Sequence, residues 1–388
     1  MKNQKHMKQI KYLPINWSNG LKLSGQHFID AHLHMVECFQ HLRAEHVTEY
    51  NYGIGMPLEH HSSSVSVEVV GAGAESSTIR LNHCNAITLG GSTIVFEPEL
   101  YGSFSPELTL SDLGKDAADG GVYIAVTASY DRLIPVGYPD PNEIPLRHPH
   151  LLPEIRITAV PVQSGNEHFL NKDFVIIGKG LLEGRGFVLD DEYIPPVQRL
   201  AYSQKLRTSL NGTIVHLNHM EDCIGQIYQK NVDDSRRSTL TSNVFTLCRA
   251  IDEYYAHQFF QIENILIEEP PIRYLQSINI LARSIFNALR TISNKEYEYM
   301  LQYFYEWTEI SPSSFETTVG DVLSLKYNHL DIAKTNRVVQ KFVTTLDTIV
   351  KKMSELDYIG LIRENIIISD DSNVEQEKTQ KTWRFFRR

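Results

Sequence analysis

From residue 65 onwards, the spacing of the apolar residues changes once along this 388-residue chain, close to residue 200. Over residues 65–197 apolar residues alternate with polar ones or form short β-branched runs, which is typical of strands. Beyond Leu200 glycines are few, and apolar residues recur at spacings of three and four, which is typical of amphipathic helices. The sequence therefore predicts an α+β protein, with an N-terminal antiparallel β-sandwich or barrel followed by an α-helical bundle.

The strand region consists of short segments separated by turn signals. "VSVEVVG" alternates, "STIRLNHCNAITLGGSTIVFE" predicts two strands joined at Gly90 and Gly91, and "GVYIAVTASY" and "EIRITAVPV" are rich in β-branched and aromatic residues. The glycine-rich "GKGLLEGRG" has neither the P-loop spacing nor the dinucleotide spacing and leads into a strand. We therefore expect a hairpin or a bulge there and not a phosphate site.

Apolar stripes in the second half predict four or more antiparallel helices packed against one another. The four clearest stripes are Leu206, Leu210, Ile214 and Leu217; Val244, Leu247, Ile251, Tyr254 and Tyr255; Leu275, Ile278, Leu281, Ile285 and Leu289; and Val338, Phe342, Leu346, Ile349 and Met353. The predicted domains are a sandwich shell with an N-terminal helix and a proline-rich arm (1–197), the bundle (198–365) and a flexible tail (366–388).

The composition argues against several classes of protein. The net charge is −10 and no lysine-rich stripe crosses the body of the chain, which argues against a nucleic-acid partner. No secretory signal or run of 18 apolar residues is present, so we expect a cytoplasmic protein without a membrane span. Four widely spaced cysteines, Cys38, Cys84, Cys223 and Cys248, indicate buried thiols in a reducing compartment.

The stretch "INWSNGLKLSGQHFIDAHLHM" places a tryptophan turn before three histidines, His27, His32 and His34. Ser24 is a candidate N-cap for a helix from about Gly25. We expect His27 to hydrogen-bond locally. One face of this helix has apolar residues at spacings of three and four and is predicted to pack against the rest of the protein: Phe28, Ala31, Met35, Phe39 and Leu42.

A metal site on this helix is the weaker interpretation of its histidines. His34, Glu37 and His41 have spacings at which neighbours can share an ion. However, no His-Glu-x-x-His sequence accompanies them and no second ligand cluster is identifiable. The corresponding alternative function is a metal-dependent β-barrel enzyme that uses His27, His32, His34 and Glu37.

Nucleophilic catalysis has no clear sequence support either. There is no Gly-x-Ser-x-Gly motif, and Cys84 and His83 are neighbours on a predicted strand, where successive side chains point to opposite faces. We predict that the protein is not an enzyme and has no catalytic residue, cofactor or metal site.

A stretch with six prolines, "RLIPVGYPDPNEIPLRHPHLLPE", interrupts the strand region. Proline lacks the donor that a central strand requires, so this stretch is predicted to be an extended excursion. One interpretation is a long connection that lies over its own domain. The other is a projecting arm that grips a neighbouring subunit, since long loops in compact domains are often functional.

The last residues, "KTQKTWRFFRR", are basic and aromatic on an otherwise acidic protein. Such a segment fits a contact with an acidic protein surface or a membrane face. A solvated tail without a partner is the alternative.

The N-terminal stretch resembles the signature of TssK, the trimeric baseplate subunit of type VI secretion systems, a class of contractile injection system. An asparagine, Asn19, stands where that family usually has an acid. The matching residues are Trp17, Gly20, Leu23, Gln26, His27 and Phe28.

Three further stretches resemble the same family in the same order. "VLDDEYIPPVQRL" is similar to its junction between sandwich and helices. "EEPPIRYLQSINILARSI" is similar to its Pro-x-x-x-Tyr helix start, with Pro270 in place of the usual histidine. "LKYNHLDIAKTNRVVQKFV" is similar to its Tyr-x-His-x-Asp helix start, carried by Tyr327, His329 and Asp331.

The resemblance implies an antiparallel β-sandwich as the shell, followed by the helical bundle. It also implies a homotrimeric structural adaptor, cytoplasmic and located at the inner face of the cytoplasmic membrane when assembled. Its partners would be baseplate wedge proteins resembling TssF and TssG and a protein of the membrane complex. The family usually continues into a globular head, whereas this sequence ends soon after Met353. We therefore expect a divergent branch with a shortened C-terminal region, in which the tail contacts the membrane side or a different anchor is used.

Two sets of residues are predicted to contact partners. In this interpretation Trp17, Leu23 and Phe28 also anchor the first helix against the sandwich. A phage-tail-like receptor-binding protein is the main alternative function. The predicted wedge-side residues are Trp17, Leu23, His27, Phe28, Pro139, Pro141 and Pro145, and the predicted membrane-side residues are Trp383, Arg384, Phe385, Phe386 and Arg387.

Overall fold

The computed structural model describes residues 10–71, 77–109, 121–162, 173–183, 186–231 and 238–361. The strands are β1 Gly53–Ile54, β2 Val65–Val70, β3 Thr78–Ile87, β4 Thr93–Phe96, β5 Glu107–Thr109, β6 Val122–Val136, β7 His150–Pro161, β8 Phe174–Glu183 and β9 Gly186–Leu189. The α-helices are α1 Gly25–His46, α2 Pro98–Tyr101, α3 Gln204–Lys230, α4 Thr239–Asn264, α5 Pro271–Leu289, α6 Asn294–Thr308, α7 Pro312–Ser324 and α8 Ile332–Glu355.

The strands form two antiparallel sheets that pack face to face. In the first sheet β3 pairs with β1, β2, β4 and β5, and in the second the order is β7-β6-β8-β9. Alternate residues of β3 such as Ile79 and Leu81 share one apolar core with Ile124 and Val126 of β6. The predicted sandwich is confirmed, and the predicted hairpin at "GKGLLEGRG" is the pairing of β8 with β9.

The chain leaves the sandwich next to the place where it enters. Ile54 forms a parallel bridge with Val197, and its backbone nitrogen donates to the oxygen of Pro196 at 2.7 Å. Gly53 has a φ of +110°, and an added Cβ would lie 2.1 Å from that same oxygen. The tight approach therefore requires glycine at this position.

The helices α3–α8 pack into the predicted bundle, with α3 beside α8 and α4 beside α5. Most residues of the four predicted stripes are buried, while Ile214, Tyr255 and Val338 are partly buried. The same core continues from the bundle into the sandwich. The α+β fold class is therefore confirmed.

No helix in the described part of the chain is long and apolar enough to cross a membrane. The predicted tail, with Trp383, Arg384, Phe385, Phe386 and Arg387, lies outside the described residues.

Candidate interaction site

The helix α1 begins where the sequence predicts, with Ser24 as its N-cap residue. His27 Nδ1 accepts a hydrogen bond from the backbone nitrogen of Ser24 at 3.2 Å. This contact satisfies one of the backbone donors near the start of the helix. The expectation that His27 hydrogen-bonds locally is confirmed.

One side of α1 is covered by other parts of the chain. Glu37 Oε2 accepts hydrogen bonds from the backbone nitrogens of Lys11 at 2.9 Å and Tyr12 at 2.8 Å. His34 Nδ1 donates to the backbone oxygen of Tyr12 at 2.8 Å. These two side chains, considered above as metal ligands, instead hold the preceding segment along the helix.

The turn between β3 and β4 supports the same helix from the sandwich. Gly91 has a φ of +85°, and an added Cβ would lie 2.1 Å from the backbone oxygen of Gln40 and 2.7 Å from the nitrogen of Ala44. The helix backbone therefore rests directly on this turn, which only glycine allows.

The predicted packing face of α1 is not packed, which corrects the sequence-based expectation. Phe28, Met35, Phe39 and Leu42 are 52% to 60% exposed, and Ala31 is half-buried. Within the described chain, none of the 22 residues of α1 is buried. The reason is that the helix rests on the sandwich through a different side, where the backbone at Gln40 and Ala44 meets Gly91.

Trp17 and Leu23 do not anchor α1 against the sandwich, so that expectation is wrong as well. Both side chains are more than half exposed. The Trp17 ring lies 6.4 Å from the rings of His27 and Phe28, measured between centroids. These residues form an exposed aromatic cluster at the N-terminal end of α1.

The proline-rich stretch is an extension of β6 and β7 beyond the sandwich. β8 pairs with β6 only over residues 122–127, whereas β7 continues to pair with β6 up to Val136, opposite His150. Pro135 lies inside β6 and Pro153 inside β7, contrary to expectation. Since β8 does not pair with β6 along this part, only two strands pair here, and each has an open edge where proline is tolerated. The stretch projects as an arm.

The tip of the arm, residues 137–149, exposes apolar side chains on a hydrogen-bonded frame. Tyr138 is 98% and Ile144 97% exposed. Arg147 Nε donates to Glu143 Oε2 at 2.6 Å, and the guanidinium lowers the pKa of the Glu143 carboxyl. His148 Nδ1 donates to the oxygen of Gly137 at 2.7 Å.

The predicted contact residues of the arm lie in this tip. Pro141 and Pro145 are exposed and Pro139 is half-buried. The structure does not bring them together with Trp17, Leu23, His27 and Phe28 into one cluster of contacts. The sandwich therefore presents two separate candidate surfaces, the face of α1 and the tip of the arm.

The cysteines follow the prediction with one exception. Cys84, Cys223 and Cys248 are buried, and burial raises the pKa of Cys84 to about 12, which disfavours a reactive thiolate. Cys38 is exposed on α1, contrary to the expectation that all four thiols are buried. His83, next to Cys84, instead contacts the backbone oxygen of Ser63 at 3.0 Å.

The described residues contain no group of three or more histidine, cysteine or acidic side chains arranged to hold a metal ion. One polar cluster was missed by the sequence reasoning: Asp347 of α8 accepts hydrogen bonds from His216 Nδ1 at 2.7 Å and His219 Nδ1 at 2.5 Å, both on α3. Its members lie on different helices, far apart in sequence, so no local pattern indicates it.

Two of the family-like motifs place tyrosines in buried positions. Tyr274, near the start of α5, lies 2.6 Å from Thr213 Oγ1 and accepts from Gln340 Nε2 at 2.6 Å, which ties α5 to α3 and α8. Tyr193, in the junction, is buried, and its backbone oxygen accepts from Lys205 Nζ at 3.1 Å. These motifs stabilise the fold and do not form an exposed site.

The third motif joins the bundle to the sandwich. His329 Nε2 donates to the backbone oxygen of Tyr52 at 2.9 Å, and its Nδ1 lies 2.6 Å from the hydroxyl of Tyr327. Asp331 caps α8 by accepting from the nitrogen of Lys334 at 3.3 Å. Burial lowers the pKa of His329 to about 4, so the ring is neutral at pH 7.

Comparison with known proteins finds similarity only at the level of structure. No protein-family model and no curated protein sequence matches the chain. A crystal structure of TssK matches at 14% identity with a TM-score of 0.51, over 86% of this chain and 68% of that one. A chain of the type VI secretion baseplate complex matches at 13% identity with a TM-score of 0.53, over 87% and 70%.

A third match is the cryo-electron microscopy structure of a TssK-TssF-TssG baseplate subcomplex. Its identity is 14% and its TM-score 0.49, over 87% of this chain and 99% of that one. The two structures with the higher TM-scores cover the sandwich and the bundle together. The chain therefore has the fold of TssK.

Proposed function

We propose that this protein is a structural subunit of a type VI secretion baseplate. The observation that supports this proposal is a TssK-like fold over most of the chain, combined with apolar surfaces that the sandwich leaves open. Large exposed apolar side chains on a soluble protein mark contacts with other proteins. An assembly role without catalysis accounts for both features.

The sandwich is proposed to be the part of the adaptor that contacts the wedge proteins. The cluster of Trp17, Leu23, His27 and Phe28 exposes two aromatic side chains, Trp17 and Phe28, of the type enriched in protein interfaces, while His27 is half-buried. The tip of the arm, with Pro139, Pro141 and Pro145, adds a second contact. The proposed partners are wedge proteins resembling TssF and TssG.

The subunit is proposed to act as a homotrimer in the cytoplasm, at the inner face of the membrane when assembled. The C-terminal segment, with Trp383, Arg384, Phe385, Phe386 and Arg387, is assigned to the membrane-complex partner because its charge is opposite to that of the chain as a whole. The protein thus links the wedge to the membrane anchor.

The test is affinity purification of the tagged full-length chain from the cells that produce it, with light scattering of the purified protein. We expect a trimer that carries the wedge proteins. The variants Trp17→Ala and Ile144→Asp are expected to lose wedge proteins while remaining folded. Tyr305→Asp, at an exposed tyrosine of the bundle, is the matched control and keeps them.

A chain truncated after Asp371 separates the two ends of the adaptor. It is expected to retain the wedge proteins and lose only the membrane-complex protein. A monomer that co-purifies with no secretion proteins would contradict the proposed function and favour the alternative, a receptor-binding protein.

A further inference from the structure

A cavity of about 530 Å³ lies where the helices α6 and α8 end. Its volume falls within the range of about 300 to 1,000 Å³ that is usual for ligand sites. None of the surfaces assigned in the proposed function includes it. We refer to it as the α6–α8 pocket, and its lining includes Trp307, Glu309, Thr348, Lys352, Glu355 and Leu356.

The apolar part of the lining comes from Trp307 and Leu356. Leu356 is buried, whereas the Trp307 side chain is only partly buried. Trp307 Nε1 is buried and has no hydrogen-bond partner among the described residues. A buried donor without an acceptor costs free energy, so a ligand that brings a carbonyl oxygen is favoured. These features fit a peptide segment with a large apolar side chain.

The charges at the pocket favour a cation. α6 ends at Thr308 and α8 at Glu355, so the C-terminal ends of two helices border the pocket, and each carries a partial negative charge. Glu309 and Glu355 add two carboxylates to the lining. Lys352 balances only one of them, since its Nζ donates to Glu355 Oε2 at 2.7 Å.

The chain leaves the described structure beside this pocket. The backbone nitrogen of Gly360 donates to the hydroxyl of Tyr303 at 3.1 Å. Tyr303 lies one helical turn before Trp307, and their ring centroids are 6.5 Å apart. Residues 362–388 follow. A flexible linker from there to Trp383 has a root-mean-square span of about 25 Å, so the end of the chain can reach the pocket.

We propose that the α6–α8 pocket binds the basic, aromatic end of the same chain, "KTWRFFRR", residues 381–388. The aromatic side chains pack against Trp307 and Leu356, and the arginines face Glu309 and Glu355. Attachment to the same chain gives an effective concentration on the order of 1 mM, so a contact with a Kd of about 100 μM is occupied about nine tenths of the time.

This contact is autoinhibitory. The proposed function assigns the same segment to the membrane-complex protein, and the inference rests on the proposed function for the identity of that competitor. While the segment occupies the pocket, its aromatic side chains are withheld from other proteins and from membrane surfaces. The membrane-complex protein must therefore displace the segment, which couples its release to assembly.

Disulfide trapping in the full-length chain tests the contact. Thr348→Cys with Thr382→Cys, in a Cys38→Ser background, places one thiol in the pocket lining and one beside Trp383. Mild oxidation is expected to join the two thiols within one chain. Mass spectrometry of the linked peptides and a non-reducing gel measure the rate.

Ser242→Cys with Thr382→Cys in the same background is the matched control. Ser242 is exposed on α4, and its neighbour Thr241 donates through its hydroxyl to the backbone oxygen of Ile359 at 3.5 Å. The control thiol is therefore close to the point where the chain leaves the bundle but outside the pocket lining. It is expected to link at least about tenfold more slowly.

Charge reversal supplies the second measurement. Glu309→Lys with Glu355→Lys is expected to slow trapping at Thr348→Cys about tenfold or more, because the pocket then repels the arginines. Glu253→Lys with Glu263→Lys, at two exposed residues of α4, changes the net charge equally and is expected to leave the rate unchanged. The pocket variant is also expected to recover more membrane-complex protein than wild type, and equal recovery would overturn the autoinhibition.

The outcomes separate this inference from the proposed function. Equal trapping rates at Thr348→Cys and Ser242→Cys, or a rate that charge reversal does not change, overturn the pocket contact and leave the baseplate role standing. Covalent dimers in place of links within one chain assign the segment to a neighbouring copy and also overturn it. Trapping in a chain that co-purifies with no secretion proteins supports the contact and refutes the proposed function alone.

Discussion

The helices α1 and α8 have similar lengths, and both carry apolar residues at spacings of three and four, but their environments are opposite. α1 has 22 residues, of which none is buried in the described chain, whereas α8 has 24 residues and buries Phe342, Val343 and Leu346 among others. An apolar stripe indicates that one face of a helix is buried, but it does not show what that face packs against. The stripe of α8 is buried within the same chain, whereas the exposed face of α1 is proposed to be covered by a partner in the assembly.

The largest expected effect tests this difference directly. Phe342→Ala removes a fully buried ring from the core and is expected to lower the free energy of unfolding by about 3 to 5 kcal/mol. Phe39→Ala removes the same ring from α1, where half of it is exposed, and is expected to change the free energy of unfolding by about 0.5 kcal/mol or less once the oligomer is dissociated. Urea denaturation in dilute solution measures both. Equal losses would contradict the comparison.

The burial of His329 predicts a dependence of stability on pH. The pKa of His329 is about 4 in the folded protein, below the ordinary value of 6.5, so the unfolded chain binds the proton more tightly. The stabilising contribution is complete above pH 6.5 and is lost as the pH falls towards 4. The full loss corresponds to about 3 kcal/mol.

His329→Gln isolates this contribution, because glutamine retains a donor for Tyr52 but does not titrate. The measurement is the difference in the free energy of unfolding between wild type and variant from pH 7.5 to 4.5. We expect the difference to fall with pH. His257→Gln, at an exposed histidine, is the control and shows no such trend. A difference that does not vary with pH would contradict the buried, neutral state of His329.

Local patterns were sufficient to predict elements whose partners lie in the same chain. The strands at residues 65–70 and 78–87, the turn at Gly91 and the buried stripe of α8 all follow from period-two or period-three-and-four spacing. The sandwich and the bundle could therefore be predicted, because each residue pattern indicates which face of a strand or helix is buried in the core.

The candidate site could be predicted only in part, since position and exposure depend on the tertiary structure. The sequence located α1 and its N-cap correctly but assigned its apolar face to the interior. Pro135 and Pro153 were assigned outside strands, because the sequence does not show where β8 stops pairing with β6. The role of Asp347 between His216 and His219 depends on helices that are distant in sequence.

A smaller effect is expected from Gly91→Ala. The added Cβ would lie 2.1 Å from the oxygen of Gln40, and the φ of +85° is unfavourable for alanine, which together cost about 1 to 3 kcal/mol. The helix α1 must shift from the turn while the bundle is untouched. Hydrogen exchange is expected to increase in α1 and remain unchanged in α8. Gly20→Ala, with nothing within 4 Å of its added Cβ, is the control.

The smallest effect is expected at the tip of the arm. Ile144→Ser is predicted to change the free energy of unfolding by about 0.5 kcal/mol or less, because the side chain is 97% exposed, whereas Ile124→Ser in the sandwich core is strongly destabilising. Thermal and urea unfolding of both variants provide the measurement, and a large loss for Ile144→Ser would show that the arm stabilises the fold. An exposed isoleucine that does not stabilise the monomer increases the risk of aggregation. Its place on a hydrogen-bonded frame is explained if its contribution to the free energy is made in an assembly, as proposed for the exposed face of α1.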